Sequence, residues 1–178
     1  MDPDRTSASP RITLGQWQRG EKTDLDIFED QLDGWLFAQA RTLALHPHCG
    51  LALLTLITPY FEMLESYQRG ELSEHRSSTF LGDGLQRVLP EVDRAAIDCY
   101  VREVRDGLMH EAMFRRVVIH QGETPPFGMR DGLLWVDPWR LLERTEAHFR
   151  DYVGRLRRRT DPREYASWEK FMAIRKAW

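Results

Sequence analysis

Over much of this chain, apolar residues recur at intervals of three and four, the period of an amphipathic helix. From Asp24 to about Leu45 the stripe is Leu25, Phe28, Leu32, Trp35, Leu36, Ala40 and Leu43, which predicts a first helix. Gly50 opens a second apolar helical stretch that runs to Tyr67, with Gly70 as its C-terminal cap. Pro59 lies inside that stretch, and an interior proline costs a helix about 3 kcal/mol, so a kink or a break is expected there. Ser73, Ser77, Ser78 and Thr79 are candidate N-caps for a short helix holding Phe80, Leu81, Leu85 and Val88, which Pro90 stops. Asp93 can cap the next helix, whose stripe is Ile97, Val101, Val104 and Leu108. Asp137 with Pro138, and Asp161 with Pro162, each pair an N-cap with a first-turn proline; they predict a long penultimate helix and a final one ending at Trp178.

Strand signals are confined to one region. RRVVIH and GLLWV are short β-branched or apolar runs separated by the Gly- and Pro-rich QGETPPFGMRD, and they read as a small hairpin near residues 115–136. Residues 1–22 carry Pro3, Pro10, Gly15 and Gly20 among polar groups, with only Ile12, Leu14 and Trp17 as anchors, and read as a flexible or loosely docked arm. Residues 23–178 then form a single domain of mainly α class, a bundle of about five or six helices with the hairpin inserted before the penultimate one. A chain of 178 residues that is 42% hydrophobic is long enough to bury a sizeable core.

Composition removes several function classes. A net charge of −3, from 25 basic and 28 acidic residues, gives no global polyanion-binding signature, so nucleic-acid contact has to come from a local patch. Cys49 and Cys99 lack C-x-x-C spacing, which argues against a zinc site or a disulfide framework and fits a reducing cytoplasm. MDPDRTSASPR does not read as a leader, and the longest apolar run, LALLTLI, is far short of the roughly 20 residues that span a bilayer. LGDGLQ lacks the P-loop lysine, His46 and His48 in HPHC have no partner at ligand spacing, and no G-x-S-x-G elbow is present. The expectation is a cytoplasmic protein with no membrane, metal or cofactor.

One stretch is left that carries chemistry: REVRDGLMHEAMFRRVVIH, residues 102–120. Cleaving a phosphodiester without a metal needs a cation to neutralise developing charge and an imidazole to move a proton near neutral pH. Arg105 and His110 are of those types; the competing reading pairs Arg105 with a carboxylate from another helix and leaves His110 to cap the helix's carbonyl end. Five residues on an ideal helix amount to about 140° of rotation and about 7.5 Å of rise, so the two side chains diverge. Convergence calls for the reach of the arginine, a helix distorted near Gly107, or a second subunit.

The run RDGLMH, 105–110, resembles the signature of the HEPN superfamily: an arginine, usually followed by a polar residue, then a histidine after four to six intervening residues, late in a bundle helix. The mainly helical layout over residues 24–160 is similar to that family too. The resemblance implies a homodimeric, metal-independent endoribonuclease, toxin-like or defence-related, in which two Arg/His pairs meet across a two-fold interface. It implies that Arg105 holds the scissile phosphate, His110 moves the proton or orients the ribose 2′-hydroxyl, Asp106 positions either side chain, and the product carries a 2′,3′-cyclic phosphate. RNA is the implied substrate, and an antitoxin or other protein the implied partner. The alternative within the resemblance is a non-catalytic dimeric scaffold that binds RNA or protein. In the toxin branch whose partner modifies a tyrosine, that tyrosine lies two residues past the histidine; here the position is Ala112.

Arg115, Arg116 and His120 are candidates for a basic rim along an RNA backbone, with a charged strand edge as the competing reading. Arg155, Arg157, Arg158 and Arg159 fit the ordinary placement of cations at a helix C-terminus. Tyr60, Phe61, Tyr67, Trp135 and Trp139 read as core rather than base-stacking platforms; Glu62 and Glu65, three apart, could flank a site, but a solvated helix face explains them.

Overall fold

The structure, a computed structural model, describes residues 2–122 and 125–176. α1 (Leu14–Gln18) is a short helix held by a capping box between Thr13 and Gln16. α2 (Asp24–Gln31) opens on the same device, built from Thr23 and Asp26. It passes into a π-helical segment (Leu32–Phe37) and on into α3 (Ala38–Ala44), so the first predicted helix is one rod with a widened middle. The arm before it is tied to α2, since the buried Asp30 carboxylate accepts hydrogen bonds from Ser9 Oγ and from the Arg11 backbone and guanidinium.

α4 (Gly50–Arg69) runs through Pro59 as one helix, so the expected break does not occur. Pro59 and Thr55, whose carbonyl the proline leaves without a donor, are both exposed, so water can satisfy that group. On the opposite face, Leu53, Leu54, Ile57, Tyr60, Phe61 and Leu64 are buried and hold the rod by packing. Gly70 closes α4 in the left-handed region, with φ of 66°.

A 3-10 turn (Glu74–Arg76) leads into α5 (Ser77–Val88). None of the four predicted caps acts as one: Arg76 occupies the cap position and makes no side-chain capping bond. The Ser73 and Ser77 hydroxyls turn instead to Glu62 on α4. α6 (Arg94–Tyr100) is capped by Asp93, as expected. It continues through a second π-helical turn (Val101–Arg105) into α7 (Asp106–Glu111), which ends at Ala112 with φ of 54°.

The strands are β1 (Val117–Ile119), β2 (Phe127–Arg130) and β3 (Leu133–Val136), ordered β1-β3-β2. The predicted hairpin between RRVVIH and GLLWV does not form, because those two strands run parallel. The hairpin is β2–β3, turning on Asp131 and Gly132 with φ of 49° and 72°, and FGMR, read as loop from the sequence, is its first strand. An Asp-Gly pair with both residues at positive φ is the chemistry of a two-residue hairpin turn. β1 lies along the other edge of β3 and runs parallel to it, with Val118 beside Trp135.

α8 (Pro138–Arg158) and α9 (Pro162–Lys176) start at the predicted Asp-Pro signals, with Asp137 accepting from the Arg140 N–H and Asp161 from the Arg163 N–H. The predicted end of the last helix at Trp178 lies outside the described residues. α4 packs against α3, α5, α8 and α9 and carries the centre of the core. Tyr60, Phe61 and Tyr67 are buried there as expected, with the Tyr67 ring 4.6 Å from both Phe28 and Phe171. Trp135 and Trp139 are only half-buried. The sheet is joined to the bundle where Phe127 meets Tyr100, whose hydroxyl lies 2.9 Å from Thr58 Oγ1. Glu65 is not on a solvated face: it is 2% exposed and lies under Arg69 and Arg87. Helices α4 and α5 approach closely where Gly84 faces the Phe61 carbonyl, and a Cβ there would stand 2.0 Å from that oxygen.

Candidate functional site

Arg105 is the last residue of the second π-helical turn, where the Asp106 N–H bonds back to the Val101 carbonyl five residues earlier. A helix distorted near Gly107 was one route to convergence; the distortion is here, just upstream of Arg105 and not between it and His110. The Arg105 side chain is 23% exposed. Its Nη1 donates to Asp106 Oδ1 at 2.7 Å and its Nη2 to Ser77 Oγ at 2.9 Å. Ser77 in turn donates to Glu62 Oε2, and Ser73 donates to Glu62 Oε1. A guanidinium has five N–H donors, so three remain for a ligand.

His110 lies in the last turn of α7, exposed, with no hydrogen bond or ion pair among the described residues. Arg105 and Asp106 are thus in contact, and His110 stands apart from them. α7 is regular α-helix between them, and the five-residue spacing still turns the imidazole about 140° away.

The other predicted residues are dispersed. Arg115 pairs with Glu111, one helical turn before it. Arg116 Nη2 donates to the Gly132 carbonyl at 2.7 Å, fastening the start of β1 to the hairpin turn. His120 follows the other end of β1, about 13 Å from Arg116 by strand rise. Its ring lies 5.6 Å from Trp135, and burial lowers its pKa, while nearby Asp137 opposes that shift. These three residues do not form one rim within a protomer.

Neither Arg105 nor His110 is on the walls of the larger clefts, although Glu62 borders one of about 580 Å³. A second, of about 530 Å³, runs between α2 and α8 over Ile12, Phe37 and Phe149. Its arginines are already neutralised: Arg11 by Asp30 and Asp33, Arg41 by Asp33 and Glu146, Arg150 by Glu146, and Arg157 by Asp26 and Glu29. Another, of about 590 Å³, has His48 and His120 on its walls. Among the described residues, no group of three or more His, Cys, Asp or Glu side chains is placed to hold a metal, and no helix is long and apolar enough to cross a membrane. Within the strong basic cluster, Arg155 binds Glu164 and Asp151, Arg157 binds Asp26 and Glu29, and the Arg159 guanidinium sits 4.3 Å over the Tyr165 ring.

Sequence reading missed Ser77 as a partner of Arg105, and Glu62 and Ser73 behind it. The available signal was a pair of serines four residues apart at the start of a helix, facing an acidic residue on the preceding one. Comparison of the chain with protein-family models, curated proteins and solved structures finds no match.

Proposed function

We propose that the protein is a HEPN-like, metal-independent endoribonuclease that acts as a homodimer. The observation that carries this reading is Arg105: a guanidinium fixed at two points and partly open to solvent, with three donors unspent among the described residues, five positions before an exposed histidine that has no partner among them. In the proposed reaction the ribose 2′-oxygen attacks phosphorus and the bond to the 5′-oxygen breaks. The 2′-hydroxyl proton passes to a base, the departing 5′-oxygen takes up a proton, and a 2′,3′-cyclic phosphate remains. His110 serves the proton transfer, Arg105 holds the phosphate oxygens, and Asp106 keeps the guanidinium in place. Because the two side chains diverge within one helix, the site is completed across a two-fold axis, with Arg105 and His110 drawn from facing protomers. A toxin-like or defence role, restrained by a partner protein, belongs to the same reading.

The test is incubation of the purified protein with mixed single-stranded RNAs in EDTA, beside Arg105→Ala and His110→Ala. Each variant should lose roughly 10²–10⁴-fold in rate while keeping its fold. Equal cleavage by all three proteins would remove both residues from the chemistry. A second reading, a non-catalytic dimeric scaffold for RNA or protein, is favoured by the contact between Arg105 and Asp106, since that carboxylate competes with phosphate for the same cation. RNA binding that depends on Arg105, with no cleavage, would favour it.

A further inference from the structure

We infer that Ser77 and Glu62 are positioning residues that set the orientation of the Arg105 guanidinium; this rests on the reading of Arg105 as the phosphate-binding group. The polarity of the contact is fixed by the groups themselves. A guanidinium can only donate and an ionised carboxylate can only accept, so the single Ser77 proton points at Glu62 and the Ser77 lone pair faces Arg105 Nη2. A chain of hydrogen bonds therefore runs in one direction from the second π-helical turn through α5 to α4.

Each end of that chain is anchored. Glu62 has both oxygens occupied, Oε1 by Ser73 and Oε2 by Ser77, so its carboxylate cannot turn without losing a partner. The 3-10 turn Glu74–Arg76 sets the two serines four residues apart on the same side, facing α4. At the other end Asp106 holds Nη1, and the guanidinium plane is thereby defined by two of its three nitrogens. All five residues are partly buried, which strengthens charge-assisted hydrogen bonds relative to those at a fully wet surface. Without Ser77 the arginine keeps only Asp106, the residue next to it in sequence, and regains rotation about its outer torsions. A phosphate clamp needs placement to within about an ångström, and losing such placement costs roughly 10–100-fold in rate.

The experiment compares wild type, Ser77→Ala, Ser77→Thr and Glu62→Gln, with Ser78→Ala, an exposed neighbour outside the chain, as control. Two readouts are taken: kcat and KM for single-stranded RNA, and the ¹⁵N NMR signals of the Arg105 guanidinium. In wild type the Arg105 Nη signals should be distinct because rotation is hindered. Ser77→Ala should average them and lower kcat roughly 10–100-fold with KM within about threefold. Ser77→Thr, which keeps the hydroxyl, should restore both within a few-fold, Glu62→Gln should resemble Ser77→Ala in part, and Ser78→Ala should match wild type. Distinct Nη signals and wild-type kcat in Ser77→Ala would overturn the proposal, as would failure of threonine to rescue. If the wild-type protein cuts no RNA, the ribonuclease reading fails on its own, and the NMR comparison alone decides whether Ser77 and Glu62 hold Arg105.

Discussion

Replacing Gly84 by alanine sets two effects of opposite sign against each other. Gly84 is inside α5, where alanine is favoured over glycine by about 1 kcal/mol, so helix propensity alone predicts stabilisation. The new Cβ, however, would stand 2.0 Å from the Phe61 carbonyl oxygen and 2.7 Å from its carbon, both backbone atoms of α4. No rotamer change relieves that contact; α4 and α5 have to separate by about 1 Å before the pair reaches even 3.0 Å. Overpacking of this kind typically costs about 1–3 kcal/mol, and more against backbone that cannot move aside. The net expectation is a loss of about 2 kcal/mol, or a fall in Tm of roughly 4–8 °C for a chain of this size. Urea and thermal unfolding measure it. A midpoint equal to or above wild type would refute the close approach of the two helices. Glu62 follows Phe61 directly, so the same separation pulls Glu62 away from Ser77, and the Arg105 signals should average in this variant as well.

Two further predictions concern pH. Burial first, and then the nearby Arg155 cation, lower the His148 pKa to about 4, whereas an unfolded imidazole titrates near 6.5. Between those values the unfolded chain binds more protons, so stability falls as pH drops from about 6.5 to about 4, by up to about 3 kcal/mol, and urea midpoints for His148→Gln should lack that slope. Parallel pH profiles for the two proteins would rule this out. Burial opposes ionisation of Asp30, but the bonds from Ser9 and Arg11 outweigh it and lower its pKa. A depressed carboxylate stabilises above its unfolded pKa and loses that contribution as pH falls through its folded value, so the urea midpoint of Asp30→Asn should lie below wild type at pH 7 and converge with it below about pH 4. A gap that persists into the acid range would point to shape rather than charge at this position.

Helices were legible because burying one face imposes a period, and their starts were legible where a cap and a proline coincide, as at Asp137–Pro138 and Asp161–Pro162. The π-helical segments were not, since spacings of three and four look alike whether or not a turn holds one more residue. FGMR reads as loop because a four-residue strand with an exposed methionine and a glycine has little alternation to show; the Asp-Gly behind it is the stronger signal. Serine is both a cap and a ligand for a carboxylate, and at Ser73 and Ser77 the partner lies on another helix, where local spacing has no reach. The residue types at Arg105, Asp106 and His110 could be read from the chain; their contacts depend on α4 and α5 and could not.

The wide turn at Val101–Arg105 also gives the helix slack in its length. An α-helix that loses a residue turns everything beyond the cut by about 100°, which would swing His110 and the apolar face of α7 out of place. A π-helical turn already holds one residue more than an α turn, so a chain shortened within it can close to regular α geometry while α7 keeps its facing. Arg102, exposed and pointing to solvent from that turn, is where one residue could be dropped at least cost to orientation. The same deletion one turn later, between Asp106 and His110 in α7, would shorten the interval separating Arg105 from His110 and turn the imidazole by about 100°.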